Sequence, residues 1–220
     1  MTKKLLSGLM LGIAAMYGAT AIAVPSYSPS GPQINVPIST VVAGGWSQCF
    51  SEPYGQSGPA ISSAISGCSG DLMMLAAAAN GSNMLSLLAW APTTDAMFAT
   101  GGFANPTNSH SANGSEWYFD PSWSWGFAPL GAPISLSSCD IAASTSFGGV
   151  NGTTPYRLCW HTSGGQMSGG WRVGAVDFLN GEPSGYTKYI FTASSVPEPG
   201  TLALLGLGLA GLAASRRRKQ

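Results

Sequence analysis

Two apolar runs fenced by basic residues stand at the ends of this 220-residue chain, and they leave only the stretch between them free to fold as a domain in water. At the front, Lys3 and Lys4 precede an apolar run that begins over residues 5–13 and continues through Ala and Met. Ala21-Ile22-Ala23 then places small residues ahead of Val24. That order is what a secretory signal requires, so cleavage by a signal peptidase is expected between Ala23 and Val24. At the back, Pro197-Glu198-Pro199 precedes an uncharged run over residues 201–215 and the closing Arg216-Arg217-Arg218-Lys219. As a helix that run covers about 22 Å, short of a hydrocarbon core of about 30 Å. Snorkelling arginines lengthen its reach, and basic residues after an exported domain match retention of that end in the cytoplasm. A short transmembrane helix over 201–215 with a basic end at 216–219 is therefore expected.

The zero net charge conceals an uneven distribution, because six of the nine basic residues lie at the two extremities. Between Val24 and Val196 eight acids face three bases, Arg157, Arg172 and Lys188, a net of −5. Nucleic acid is excluded as a partner, since its phosphates need clustered Lys and Arg to displace counterions. So few charges among so many Gly, Ser, Ala, Asn and Thr suit an extracellular β domain with polar, uncharged loops.

The pattern of the middle predicts a mainly β fold, an antiparallel β-sandwich-like domain over residues 46–195. Residues 24–45, rich in Pro, Ser and Gly, read as an extended linker. Turn signals recur at Asn80-Gly81, Asn113-Gly114, Asn151-Gly152 and Asn180-Gly181. Asn-Gly supplies the two positive φ values of a type I′ hairpin turn. Residues 72–79 and 84–91 fit a buried hairpin around the first of these, although their Ala, Leu and Met content also suits helices; the interposed Asn-Gly favours strands. Clearer strands are expected at Glu116-Trp117-Tyr118-Phe119 and over 156–162, 171–178 and 186–192. Two packed sheets accommodate that many short strands economically.

Cys49, Cys68, Cys139 and Cys159 form an even set in a chain bound for an oxidising compartment, where thiols pair. Three connectivities are open. Loop closure favours partners near in sequence, hence Cys49 with Cys68 and Cys139 with Cys159. A zinc site is disfavoured because no Cys-x-x-Cys knuckle accompanies Cys159 and His161. The same pair, with Asp140 to orient the imidazole, would make a nucleophile only if the thiol stayed reduced. There is no Gly-x-Ser-x-Gly elbow, and His110 and His161 are the only histidines. Glu116 and Asp120 hint at a glycosidase pair, against the alternative of solvated residues flanking an aromatic strand. No catalytic residue, metal site or cofactor is expected.

The densest feature is aromatic: Trp117, Tyr118, Phe119, Trp123, Trp125 and Phe127 crowd into eleven residues. On a strand, Trp123, Trp125 and Phe127 project from one side. Exposed, they would form a ligand platform that stacks on sugar rings. Buried, they would be the core of a small sandwich, the commoner fate of large aromatics.

Pro197-Glu198-Pro199, a short Leu/Gly/Ala run and the terminal Arg216, Arg217 and Arg218 together resemble the PEP-CTERM sorting signal of Gram-negative bacteria. The resemblance covers about the last 25 residues. It implies recognition by an exosortase, a membrane-embedded cysteine protease-transpeptidase that processes such tails near the Pro-Glu-Pro, often in bacteria that make exopolysaccharide or biofilm matrix. It further implies an inner-membrane-anchored intermediate and then a place at the cell surface or outside the cell. The central segment, with Arg157-Leu158-Cys159-Trp160-His161 and Gly169-Gly170-Trp171-Arg172, resembles a recurrent secreted module, which implies an autonomous domain and no particular chemistry. The expected function is a non-catalytic surface or matrix protein, glycan-binding, envelope-binding or structural, with a secreted hydrolase of polysaccharide or peptide as the rival.

Overall fold

A computed structural model describes residues 22–23, 25–105, 107–134, 155–176, 179 and 185–197. The chain divides into one unit over Val24–Ser195 and a second made of its two ends. In the second unit Ile22–Ala23 (β1) pairs antiparallel with Val196–Pro197 (β12), Ala23 standing opposite Val196. The expected signal and membrane helices lie outside the described residues. Among the described residues no helix is long and apolar enough to cross a membrane.

The larger unit is built from β2 (Gln33–Pro37), β3 (Ser47–Pro53), β4 (Leu72–Ala79), β5 (Met84–Pro92), β6 (His110–Ala112), β7 (Ser115–Phe119), β8 (Ser124–Pro129), β9 (Leu158–Ser163), β10 (Gln166–Val173) and β11 (Tyr186–Ala193). Three short α-helices join them: α1 (Ile38–Ala43), α2 (Ile61–Ala64) and α3 (Thr93–Ala96). Two antiparallel five-stranded sheets result, ordered β2-β5-β4-β11-β3 and β10-β9-β8-β7-β6. The mainly β, sandwich-like expectation holds, and the ambiguous segment 72–91 is indeed a hairpin of strands.

The run Leu-Met-Met-Leu-Ala-Ala-Ala-Ala of β4 lacks the polar alternation of a half-buried strand because both of its faces are covered. Met73, Leu75 and Ala77 face the second sheet, joined by Leu87, Ala89 and Ala91 of β5 and Ile190 of β11. Leu72, Met74, Ala76 and Ala78 point the other way, under Val41 of α1 and Trp46. Opposite the small inner face, the second sheet presents Trp117, Phe119, Trp125, Phe127 and Trp160. Large rings on one sheet stand against Ala, Leu and Met on the other across the roughly 10 Å between packed sheets. Trp125 meets Trp160 edge to face at 5.7 Å, a geometry the ring quadrupoles favour.

Of the four Asn-Gly pairs, two are described and both are turns. Asn113 (φ 43°) and Gly114 (φ 72°) form the two-residue connection of β6 and β7. Asn80-Gly81 opens the β4–β5 loop with Gly81 at φ 75°. Asn151-Gly152 and Asn180-Gly181 lie outside the described residues. Cys49 is bonded to Cys68, tying β3 to the turn after α2. No described cysteine is a free thiol. Cys139, the expected partner of Cys159, lies outside the described residues.

The linker reading of residues 24–45 is corrected: β2 pairs with β5, Ile34 opposite Leu87, and α1 covers the outer face of the first sheet. Proline does keep residues 25–32 out of regular pairing, but their carbonyls are used. Trp46 Nε1 donates to Tyr27 O, Trp90 Nε1 to Pro29 O and Asn113 Nδ2 to Pro29 O, at 2.8, 2.8 and 3.1 Å. Indole and amide donors thus fix a segment whose composition suggests a tether.

Two polar groups cross the core. Lys188, fully buried on the inner face of β11, puts its ammonium 2.7 Å from Glu52 Oε1 and donates to the carbonyls of Gln56 and Ser168 at 3.0 and 2.8 Å. Three oxygens replace its hydration, the condition for tolerating a buried charge. Tyr54, also fully buried, points its hydroxyl at the carbonyls of Cys159 and Arg172, 2.8 and 2.6 Å away on neighbouring strands of the other sheet. Burial pushes this phenol well above its ordinary range, against the carbonyl bond to Cys159. Its ring lies against Gly170, where an added Cβ would come within 1.8 Å of Tyr54 Cδ1. Gly170→Ala is therefore expected to lower the stability of the folded unit by about 3 kcal/mol, the upper end of ordinary overpacking costs. Chemical denaturation of residues 24–195 checks it, and a loss below about 1 kcal/mol would mean the ring is not seated there.

Candidate functional site

Strand β11 lies inside the first sheet, between β4 and the edge strand β3, and carries the chain out of the folded unit. Its last residue, Ala193, pairs with Leu72, and two residues later Ser195 is caught by Asp71. The Ser195 N–H donates to Asp71 Oδ1 at 2.6 Å, and its hydroxyl bonds Oδ2. These two bonds, the hydroxyl's first, hold the Asp71 carboxyl below the usual carboxylate range. Of the expected sorting residues, Pro197 is described in β12, while Glu198, Pro199, Arg216, Arg217 and Arg218 lie outside the described residues. At the front, Ala23 is described and Ala21 and Val24 are not.

The aromatic row divides between core and rim. Trp125 and Phe127 are fully buried between the sheets, and Trp125 Nε1 donates to Ala96 O at 2.8 Å. Trp123 is half-buried on the outer face of the second sheet, beside Tyr118, Cys159 and Trp171. The ligand-platform reading of Trp123, Trp125 and Phe127 is thereby corrected. The bend at Pro121-Ser122 sets Trp123 apart from the strand, and the sandwich consumes the other two.

Glu116 and Asp120 are likewise committed to the fold. The Glu116 carboxylate accepts from Ser109 Oγ at 2.8 Å, Ser111 Oγ at 2.9 Å and the Gly131 N–H at 2.9 Å, and so ties the β6–β7 hairpin to the turn after β8. Asp120 Oδ1 accepts the Ser122 N–H at 2.8 Å inside its own turn. Cys159 is buried, and His161, two residues on, lies edge-on to Trp171 at 5.7 Å. Burial lowers the His161 pKa, against a backbone bond to Trp123 that raises it. Among the described residues no group of three His, Cys, Asp or Glu side chains could hold a metal ion.

Three features escaped sequence reasoning. Asp95 Oδ1 and His110 Nε2 stand 2.7 Å apart, and the half-exposed Phe98 stacks on the imidazole at 4.4 Å. A pairing fifteen residues apart across a helix and a loop leaves no sequence signal. An open groove of about 420 Å³ runs along the edge of the unit between β2 and the end of β8, lined by Ser30, Pro32, Gln33, Ile34, Pro129 and Tyr156. It holds no charged side chain, and Ile34 and Tyr156 are exposed in it. Finally, Arg157, Arg172 and Lys188 are all buried, so every Lys and Arg between residues 24 and 195 is withdrawn from the surface.

Residues 195–219 match the PEP-CTERM protein-sorting motif, which marks an exported protein that passes through the membrane and has an exosortase as its processing partner. No curated protein and no solved structure is similar to the chain, so the resemblance of its central segment to a recurrent secreted module gains no support there.

The Glu116 network gives an acid prediction. Burial raises this carboxyl, but the Gly131 N–H, the Ser109 and Ser111 hydroxyls and the His110 charge outweigh it and leave the pKa below its ordinary value. A carboxyl depressed by folding contributes stability above its unfolded pKa of about 4.3, and that contribution is lost as pH falls through the lower folded value. Glu116→Gln is expected to cost about 1–2 kcal/mol at pH 7. The gap to the natural protein should narrow below about pH 4 in pH-dependent denaturation. A gap that does not change with pH would contradict the assignment.

Proposed function

We propose that this exported protein is a non-catalytic component of the cell surface or extracellular matrix, delivered by its sorting tail, whose folded unit binds neutral glycan in the groove beside Tyr156. The sorting motif carries the first half of this reading. Its non-catalytic character is supported by the engagement of the acidic residues among the described ones. Glu52, Asp71, Asp95, Glu116 and Asp120 each hold a structural partner, which leaves none of them poised as an acid or base on a bound substrate.

Charge selects among ligands. With no Lys or Arg at its surface and exposed Asp71, the folded unit repels acidic polymers, whether nucleic acid or uronic-acid polysaccharide. A neutral sugar chain avoids that repulsion. Tyr156 offers a ring face for stacking, and the Gln33 amide and Ser30 hydroxyl offer hydrogen bonds in an open, uncharged channel. Exopolysaccharide of neutral composition is the ligand this chemistry favours.

A glycan array probed with residues 24–195 tests the reading. Binding is expected to neutral rather than acidic glycans, and Tyr156→Ala should weaken it about tenfold, the loss of one stacking contact. An array without any signal would remove the ligand half and leave a purely structural component. Hydrolysis of a glycan or peptide that vanishes in Glu116→Gln would instead favour the hydrolase.

A further inference from the structure

The matched sorting motif begins at Ser195, the residue that Asp71 grips. The hold on this residue is built from several sides. Thr192 and Ala193 are paired on β11, Thr192 with Ser47 of β3 as well as Met73 of β4, so the strand cannot peel from either edge. Gly70 N–H donates to Thr192 Oγ1 at 2.8 Å. An added Cβ on Gly70 would lie 2.0 Å from Ala193 O, so the two backbones are in direct contact. Asp71 is fixed in turn, its carbonyl accepting the Thr93 N–H at 2.8 Å. The carboxylate that holds Ser195 is therefore not on a loose loop.

From Ser195 to Pro197 the chain reaches at most about 7 Å. A protease binds its substrate extended, with residues on both sides of the reacting bond withdrawn from other pairing. Just ahead of Pro197, Val196 is paired with Ala23, and before it stand the clamped Ser195 and, two residues earlier, the end of the interior strand β11. We propose that the Asp71–Ser195 clamp withholds the sorting motif from the membrane-embedded processing enzyme, and that the tail is processed only from the fraction of molecules in which the clamp is open. A carboxylate is ionised at neutral pH, so both bonds from Ser195 go to a charged acceptor. Where opening is fast relative to cleavage, the rate of tail removal follows the open population. The proposal rests on the reading of residues 195–219 as a sorting signal.

Pulse labelling of the full-length protein in its native host, with the tail followed by intact mass, tests it. Asp71 lies outside the matched motif, so its substitution leaves the recognition sequence unchanged. Asp71→Ala should speed tail loss by about three- to tenfold, the weight of an exposed charge-assisted hydrogen bond, and Asp71→Asn by less. A chain with natural Asp71 and twelve Gly/Ser residues inserted between Ser195 and Val196, the last of them a serine that restores the first residue of the motif, should be processed as fast as Asp71→Ala. Adding Asp71→Ala to that insertion should change nothing further. Unchanged or slower tail loss in Asp71→Ala, or an insertion chain as slow as the natural one, would overturn the clamp. Tail retention in all of these chains would instead remove the sorting reading, and the clamp with it.

Discussion

Strands β4 and β11 are covered on both faces, and the rest of the folded unit is arranged around the need to cover them. Alanine and methionine on the inner side leave room for Trp117, Trp125 and Trp160 from the opposing sheet. The outer side needs its own lid, and α1, Trp46 and the proline-rich segment ahead of β2 supply it. Burial of this kind is the dominant favourable contribution in a chain with so few charges. Two of the polar groups inside it are closely matched: Tyr54 against two carbonyls of the facing sheet, Lys188 against Glu52 and two carbonyls.

What could be read from the sequence was whatever depends on neighbours along the chain. The continuous apolar run of β4 and the Asn-Gly at Asn80 are local signals, and they led to the correct hairpin over 72–91, although only Gly81 of that pair takes a positive φ. Loop closure, also local, paired Cys49 with Cys68. The linker reading of residues 24–45 fails because proline content reports the absence of regular pairing, while the partners that fix its proline-rich part, Trp46, Trp90 and Asn113, are as many as 84 residues away. Periodicity put Trp123, Trp125 and Phe127 on one side of a strand but could not say whether that side met water or a second sheet. The Asp95–His110 pair and the groove at Tyr156 arise only when distant loops are brought together, and nothing in the composition of either segment announces them.

The same separation runs through the function. Address is written in contiguous residues, so the sorting motif can be recognised from sequence in a protein whose folded unit has no similar relative among solved structures. Ligand choice is written on a surface. Withdrawal of Arg157, Arg172 and Lys188 into the interior leaves the surface of the folded unit without Lys or Arg, a property that net charge alone conceals. The chain leaves the folded unit from an interior strand, through the Ser195 that Asp71 holds.

Native-state hydrogen exchange on the folded unit bears most directly on this account. If double-sided burial of the first sheet is what the fold depends on, the amides of Leu75, Ala76, Ile190 and Phe191 should exchange only through global unfolding, at a common slow rate. Exchange of the β11 amides through local opening, faster than those of β7 and β8 in the other sheet, would show that the central strand is not the anchor described here.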